Sequence, residues 1–515
     1  MKANDLIYRL QQPGVQKVLA ALVFLFWIGF FYQKIDILNK LPHRPTGEHT
    51  WAQTDRASMA LTYYMDDAPF LLPRCHQAPP GSEGITAGEF PLIPYTVSKM
   101  YSAWGFREVY HRSLVLGITL IGFIFSFLLA LRYIRQPLWA AFAASAWIAS
   151  PNIIYYSFSF LPDAPSLALI TIALFYLLRG KSEVRPRDYV LFAFFFSLAA
   201  LIKLSAVFPV CSVTAALYIC ERRKRFPGWK HKLALAAAVA IPLLLTFLWV
   251  LYARHIVRKY GIFTFLLEPL PPTSWADFRH GVRVWRQLLE YYYSTGFQYF
   301  LVIASGLALI WIRRSNRFLL LSAVFIYITY AGFFILMFQK SPVHGYYWVP
   351  FQIAVFFHVA WITDLITKIT MPAWTRYVLW AGAMVFLNYN MIHITKNMKG
   401  RWGKNEEYYT RYYDLEPYLD SIGVGYEDRV FSYADPTFNV TLYLMNRKGV
   451  VEGPGEEIFK LKAGLQTNEY AVLNDTSIVE NPELKPYFHR RLGEHNNIVI
   501  YQLHADERTD SRPDR

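Results

Sequence analysis

The chain has 515 residues, is 54% hydrophobic and 17% aromatic, and carries a formal net charge of +15. Much of the apolar content lies in blocks of roughly 18 to 22 residues, long enough to cross a hydrocarbon core, which excludes a single soluble globule. The basic residues fall in short loops between those blocks, so they read as topology and anionic-lipid contact rather than a nucleic-acid module.

Three scattered cysteines, Cys75, Cys211 and Cys220, supply neither a disulfide framework nor a CxxC metal site. The first apolar run follows Lys2, Arg9 and Lys17, ends in aromatics and lacks a small-residue cleavage site. It reads as an uncleaved span rather than a signal peptide. About eleven spans are expected, at 17–34, 113–132, 137–150, 164–179, 188–202, 205–220, 233–253, 297–312, 317–338, 347–366 and 376–394. Every second loop is basic: Arg132 with Arg135, then Arg179 to Arg187, "ERRKRFPGWKHK", Arg313 to Arg317, and Lys368 with Arg376. Those loops face the cytoplasm by the positive-inside rule. The N-terminus is then cytoplasmic, and an odd number of spans leaves the C-terminal region outside.

The outer face receives the loops 35–112 and 254–296 and the tail. In the tail, "RVFSYAD", "EYAVLND" and "NNIVIYQL" are strand-like, while "VTLYLMNRKGV" and "EEIFKLKAGLQ" are helical or mixed. The expected architecture is a polytopic α-helical membrane protein. A transmembrane domain occupies 1–395 and a small extracytoplasmic α/β domain occupies 396–515. The tail shows no GxGxxG or P-loop, so it reads as a cap or docking module.

A large surface on one side of a membrane suits a substrate with a lipid tail, and the natural reaction is sugar transfer from a polyprenyl phosphate. Phosphate is already a good leaving group. The protein must supply a carboxylate to take the acceptor proton, cations for the departing phosphate and an apolar groove. Within "EHTWAQTDRASMALTYY", Asp55 is the first candidate for the carboxylate. The stretch reads as the start of an amphipathic helix, where an Asp is equally a routine cap or dipole partner. Arg56 can reach phosphate or simply solvate that face. Glu89 opens "EFPLIPYTVSKMY", an interfacial amphipathic segment, where it can orient the acceptor, assist a divalent ion or be a solvated loop acid.

Asp163 in "SFLPDAPSLAL" lies at the mouth of a span and is also a good helix cap. Lys203 in "LAALIKLSAVF" stands between two apolar blocks, where a lysine is costly unless it snorkels or meets an anion. In "QKSPVHGYYWVP", Lys340, His344, Tyr346 and Tyr347 can bind a phosphate and stack on a sugar, or form an interfacial aromatic belt. Arg258, with Arg254, His255 and Lys259 at helical spacing, steers lipid phosphate or anchors its span.

The first loop, with "HTWAQTDRASMALTYY", "LLPR" and "GEFPLIPYTVSKMYSAWG", resembles the first external loop of bacterial GT-C fold glycosyltransferases. The similarity is to the branch shared by protein mannosyltransferases and lipid A aminoarabinose transferases. "LPDAPSLALITIALFYLLRG", the lysine of "LAALIKLSAVF" and "HGYYWVP" follow in the family's order, to about residue 395. The resemblance implies inverting transfer from a polyprenyl-phosphate sugar to a lipid, envelope-glycan or protein acceptor, with an acid of the first loop as base. That role falls on Asp55, with Glu48 and Glu89 in reserve. Two departures stand out: Arg56 replaces the second acid of the family's frequent Asp-Glu pair, and Glu89 stands where relatives often have a basic residue. Phosphate contact then shifts to Lys203, Lys340 and His344. The resemblance implies no tightly bound metal; a divalent cation is compatible but not required.

Two other readings compete. A transporter or flippase for lipid-linked sugars predicts inverted repeats and ionisable residues deep in the spans, and few of either are visible. A non-catalytic envelope scaffold suits the tail but gives the acids of the first loop no purpose.

Overall fold

The computed structural model describes residues 12–180, 182–260, 269–341, 344–402 and 406–503. Lys2, Arg9, the 261–268 part of the second outer loop and the tail beyond 503 lie outside the described residues.

Among the described residues, seven helices are long and apolar enough to cross a membrane: Pro13–Lys34, Val109–Tyr133, Leu204–Arg225, Trp229–Tyr260, Arg317–Leu336, Gly345–Lys368 and Trp374–Trp402. The protein is an integral membrane protein. The expected count of about eleven exceeds that number by four, and the difference lies in shorter helices. These are Pro137–Ile148, Asp163–Leu178, Pro186–Ile202 and Thr295–Ile310, of 12, 16, 17 and 16 residues. At 1.5 Å rise they run roughly 18 to 26 Å, short of the ~30 Å hydrocarbon thickness. Proline at the first turn fixes the start of Pro137–Ile148 and Pro186–Ile202. The extended backbone of Lys203 (φ −155°, ψ 105°) ends the latter.

The chain forms two compact units, one of 1–42, 112–251 and 267–400, the other of 43–111, 252–266 and 401–515. In the first, helices approach closely where side chains are small. A Cβ on Gly122 would overlap Ala168, so Val109–Tyr133 packs directly on the backbone of Asp163–Leu178. The buried Arg225 donates to the carbonyls of Leu177 and Leu178 at 3.5 and 3.3 Å, satisfying acceptors that the end of Asp163–Leu178 leaves open.

The second unit is built on a five-stranded sheet of β1 (Val430–Tyr433), β2 (Gly449–Glu452), β3 (Tyr470–Leu473), β4 (Arg490–His495) and β5 (Ile498–Gln502). The order is β2-β1-β3-β5-β4, with the first three strands parallel and β5 and β4 antiparallel. Helix Ile458–Thr467 covers one face through Leu461 and Leu465, in a core with Phe431, Leu473 and Leu503. Gly464 leaves room for the Phe431 ring that a Cβ would strike.

The open edge of β2 is occupied by the first loop. Gln77 bridges Gly449 in parallel. Gly449 N–H donates to the His76 carbonyl at 3.0 Å, and Ala78 N–H donates to the Gly449 carbonyl at 2.7 Å. The Gln77 side chain locks the register: its Oε1 accepts from Val451 N–H at 3.0 Å, while its backbone N–H donates to Asn439 Oδ1 at 3.1 Å. Residues 76–78 therefore act as a sixth, short strand, which covers an edge that would otherwise template association.

Candidate active site

In the second unit, helix Thr50–Met65 carries the stretch that the sequence marks. It is buried from Ala52 to Tyr63, so it is a core helix rather than the amphipathic one expected. Small residues, Ala52, Ala57, Ser58 and Ala60, let neighbours close on every side. The helix begins at Thr50, which puts Asp55 past the first turn and removes the capping role.

Asp55 is 1% exposed, and its Oδ1 has no hydrogen-bond partner among the described residues. Its Oδ2 stands 3.7 Å from Arg56 Nη1. Arg56 in turn donates from Nη2 to Glu89 Oε2 at 2.6 Å and from Nη1 to the Ala52 carbonyl at 3.2 Å. Glu89 is thus the partner of Arg56. Burial pushes the Asp55 carboxyl up to about 7, against the opposing pull of Arg56 and with a further push from Glu89. Glu48 lies 3.3 Å from Arg401 Nε and 3.8 Å from His49 Nε2.

One turn beyond Asp55, Ser58 is braced by His76. Ser58 Oγ is 2.7 Å from His76 Nδ1, and the His76 backbone N–H donates to the same Oγ at 3.0 Å. His76 Nε2 is 3.0 Å from Asn446 Oδ1, and Asn446 Nδ2 donates to Glu416 Oε1 at 2.8 Å. Asn446 Oδ1 can only accept here, so Nε2 carries a proton and Nδ1 accepts from the serine. Burial lowers the His76 pKa to about 4, which keeps the ring neutral. Ser58 and His76 are wholly buried. The chain of contacts is a brace for the Asp55 helix. A second tie runs from Asp66 to Lys448 Nζ at 2.9 Å and to the Tyr426 hydroxyl at 2.9 Å.

In the first unit, Asp163 and Lys203 form an ion pair at 3.0 Å, 0% and 2% exposed. Lys203 neither snorkels nor stands alone. Its Nζ also lies 5.0 Å from the Tyr346 ring centroid and 5.3 Å from that of Tyr347. His344 stacks on Tyr347 at 4.7 Å, and its Nδ1 donates to the Lys340 carbonyl at 2.8 Å. Asn152 Nδ2 holds the same link by donating to the Gly345 carbonyl at 3.0 Å. The aromatic link is therefore buried around a cation rather than spread as an interfacial belt. Arg258 is exposed in the last turn of Trp229–Tyr260 and makes no ion pair with a described residue.

The expected residues thus gather into two groups: Asp55, Arg56 and Glu89 in one unit; Asp163, Lys203, His344, Tyr346 and Tyr347 in the other. The sequence reading missed Arg401, His76 and Arg112. Arg112 is fully buried, donates from Nη1 to the Phe158 carbonyl at 2.9 Å and lies 4.5 Å over the Phe160 ring. The visible signal was a His-Arg pair just inside an apolar helix, "VYHRSLVLGITL". Among the described residues, no three His, Cys, Asp or Glu side chains are placed to hold a metal ion.

The backbone resembles that of ArnT from Cupriavidus metallidurans bound to undecaprenyl phosphate, with a TM-score of 0.59 at 14% identity, covering 96% of this chain and 99% of that one. Its apo state gives 0.56 at 14% identity, covering 93% and 98%. The fold is the GT-C fold. The mycobacterial arabinofuranosyltransferase AftD gives 0.53 at 14% identity, and this chain, covered over 96% of its length, spans 42% of that protein. No family model matches this chain, and no curated protein matches its sequence.

Proposed function

We propose that the protein is an inverting glycosyltransferase that moves a sugar from a polyprenyl-phosphate donor to an extracytoplasmic acceptor: a lipid such as lipid A, an envelope glycan or a protein. The observation that carries this reading is the state of Asp55: a buried carboxylate, one oxygen unpartnered, held near pKa 7. That is the range in which a general base is most effective at neutral pH.

In this reading the acceptor hydroxyl gives its proton to Asp55 as its oxygen bonds to the anomeric carbon. The bond from that carbon to the phosphate oxygen breaks, and polyprenyl phosphate leaves with the electron pair. Lys203, fixed by Asp163 and the two tyrosines, supports the phosphate charge, with His344 and Lys340 on the link that carries those tyrosines. Arg56, neutralised by Glu89, tunes Asp55, and Arg258 attracts the anionic lipid. These cations supply the charge stabilisation, so the reading needs no tightly bound metal. The undecaprenyl phosphate held by ArnT supports the donor class. The alternating basic loops support a cytoplasmic N-terminus and an extracytoplasmic tail, and the resemblance to bacterial GT-C glycosyltransferases supports residence in a bacterial inner membrane.

The test uses purified protein in lipid with radiolabelled polyprenyl-phosphate sugars and membrane acceptors, wild type against Asp55→Asn. Transfer that drops by about three orders of magnitude or more supports the base. Undiminished transfer removes it, and donor crossing the bilayer without transfer marks a flippase.

A further inference from the structure

Within the first unit, a cavity of about 370 Å³ opens among the first turns of three helices, Pro13–Lys34, Pro137–Ile148 and Ala373–Trp402. Its walls include Gln16, Gln136, Trp139, Arg376, Tyr377 and Trp380, and no carboxylate lines it. Arg376 Nε is buried there without a hydrogen-bond partner among the described residues. Trp380 Nε1 donates to the Leu138 carbonyl at 3.0 Å, which fixes the aromatic wall.

A half-buried arginine whose Nε faces a cavity with no acceptor of its own calls for an anion. Two amides can donate beside it, and the three helix dipoles present their positive ends. Lys17 and Arg135, exposed next to Gln16 and Gln136, add to the positive field. The helices that leave the cavity are exposed and apolar, through Val15, Val18, Leu19 and Leu22 on one and Val378 and Leu379 on another. A free phosphate needs no such surface; a phosphate with acyl chains does. The Trp and Tyr side chains match the headgroup level.

We propose that this cavity is a binding site for an anionic glycerophospholipid of the leaflet that meets the basic loops. The phosphate lies against Arg376, Gln16 and Gln136, and the acyl chains run along the exposed apolar faces. The site is separate from the residues assigned to sugar transfer, and the proposal stands whether or not that assignment does.

The test is native mass spectrometry and thermal unfolding of the full chain. Phosphatidylglycerol, phosphatidylcholine and inorganic phosphate are compared on wild type, Arg376→Gln, Arg376→Lys and, as a basic-loop control, Arg187→Gln. Phosphatidylglycerol should bind wild type and raise its unfolding temperature, with phosphatidylcholine weaker. Arg376→Gln should lose about tenfold or more in affinity, Arg376→Lys less, and Arg187→Gln nothing. If Arg376→Gln fails to fold, the Arg376→Lys comparison carries the test. Equal binding of the two lipids, an unchanged affinity in the Arg376 variants, or an equal loss in Arg187→Gln overturns the site. Stabilisation by inorganic phosphate equal to that by the lipid overturns the lipid assignment.

Discussion

Asp55 and Arg56 are chain neighbours, yet the arginine turns its shorter contact, 2.6 Å, to Glu89 and leaves the Asp55 carboxylate at 3.7 Å. The arginine is close enough to lower the Asp55 pKa and too committed to Glu89 to quench the carboxylate. This geometry leaves the Asp55 carboxyl open to tuning by its two neighbours.

The pH profile of transfer should follow. With Asp55 held near 7, kcat/KM should rise through that pH as the carboxylate loses its proton. Arg56→Gln should move the rising limb to higher pH, because a charge that lowers the pKa is gone. Glu89→Gln should move it lower, because a charge that raises the pKa is removed and Arg56 is released. A limb that does not move in either variant would contradict the arrangement.

The same burial predicts a stability effect without any substrate. Asp55 binds its proton more tightly folded than unfolded, so its contribution is full below the unfolded value near 3.8 and is lost as pH rises through about 7. Over that interval the cost reaches about 4 kcal/mol at most. Asp55→Asn should therefore unfold at a higher temperature than wild type at pH 8, by a smaller margin at pH 5 and at a similar temperature only below about pH 3.8, measured by differential scanning fluorimetry.

His76 predicts the opposite slope. Its folded pKa is lowered to about 4, so its contribution is present above the unfolded value near 6.5 and is lost as pH falls toward 4. Replacing it by Gln should flatten the acid side of the stability profile. It should also cost about 1–3 kcal/mol at pH 7 through the unmet partners Ser58 and Asn446, read by denaturant unfolding.

Breaking the Asp163–Lys203 pair on one side only should be severe. Lys203→Met or Asp163→Asn leaves a buried group without its counter-charge and should cost about 3–5 kcal/mol. The double variant should recover most of that stability while donor binding, followed by tryptophan fluorescence, stays lost. Recovery of donor binding in the double variant would remove Lys203 from the phosphate.

Chelation should leave transfer intact. Treatment with excess EDTA followed by metal-free assay is expected to change the rate less than twofold, since the cations assigned to the phosphate are covalent parts of the chain.

What the sequence reveals follows from how local each signal is. Long apolar blocks declare themselves, and every expected span coincides with a helix, although four of those helices are shorter than a bilayer is thick. Lys203 is legible because a lone cation between apolar blocks must have a reason; nothing local links it to Asp163, forty positions earlier, which the sequence offers as a functional acid or a cap. β1, β3 and β5 fall on the strand-like runs, whereas β4 (Arg490–His495) did not show, being an exposed edge strand written in charge. Glu48–Arg401 and His76–Asn446 join residues hundreds of positions apart, and no periodicity reports such a pairing. The all-round burial of the Asp55 helix was hidden because its small polar residues look solvent-facing until the covering segments are in place.

The short strand at 76–78 has a temporal consequence. Its pairing partner, Gly449, is made more than 300 residues later. During synthesis the helix that holds Asp55 must wait, unbraced, while most of the membrane helices are inserted. A chain that stops after Trp402 but before residue 449 would keep all seven long apolar helices and leave the segment 76–78 without its strand partner. Completion of the tail is thus the last step in bracing the Asp55 helix, and a chain cut short of it should lose the His76 contacts that hold that helix.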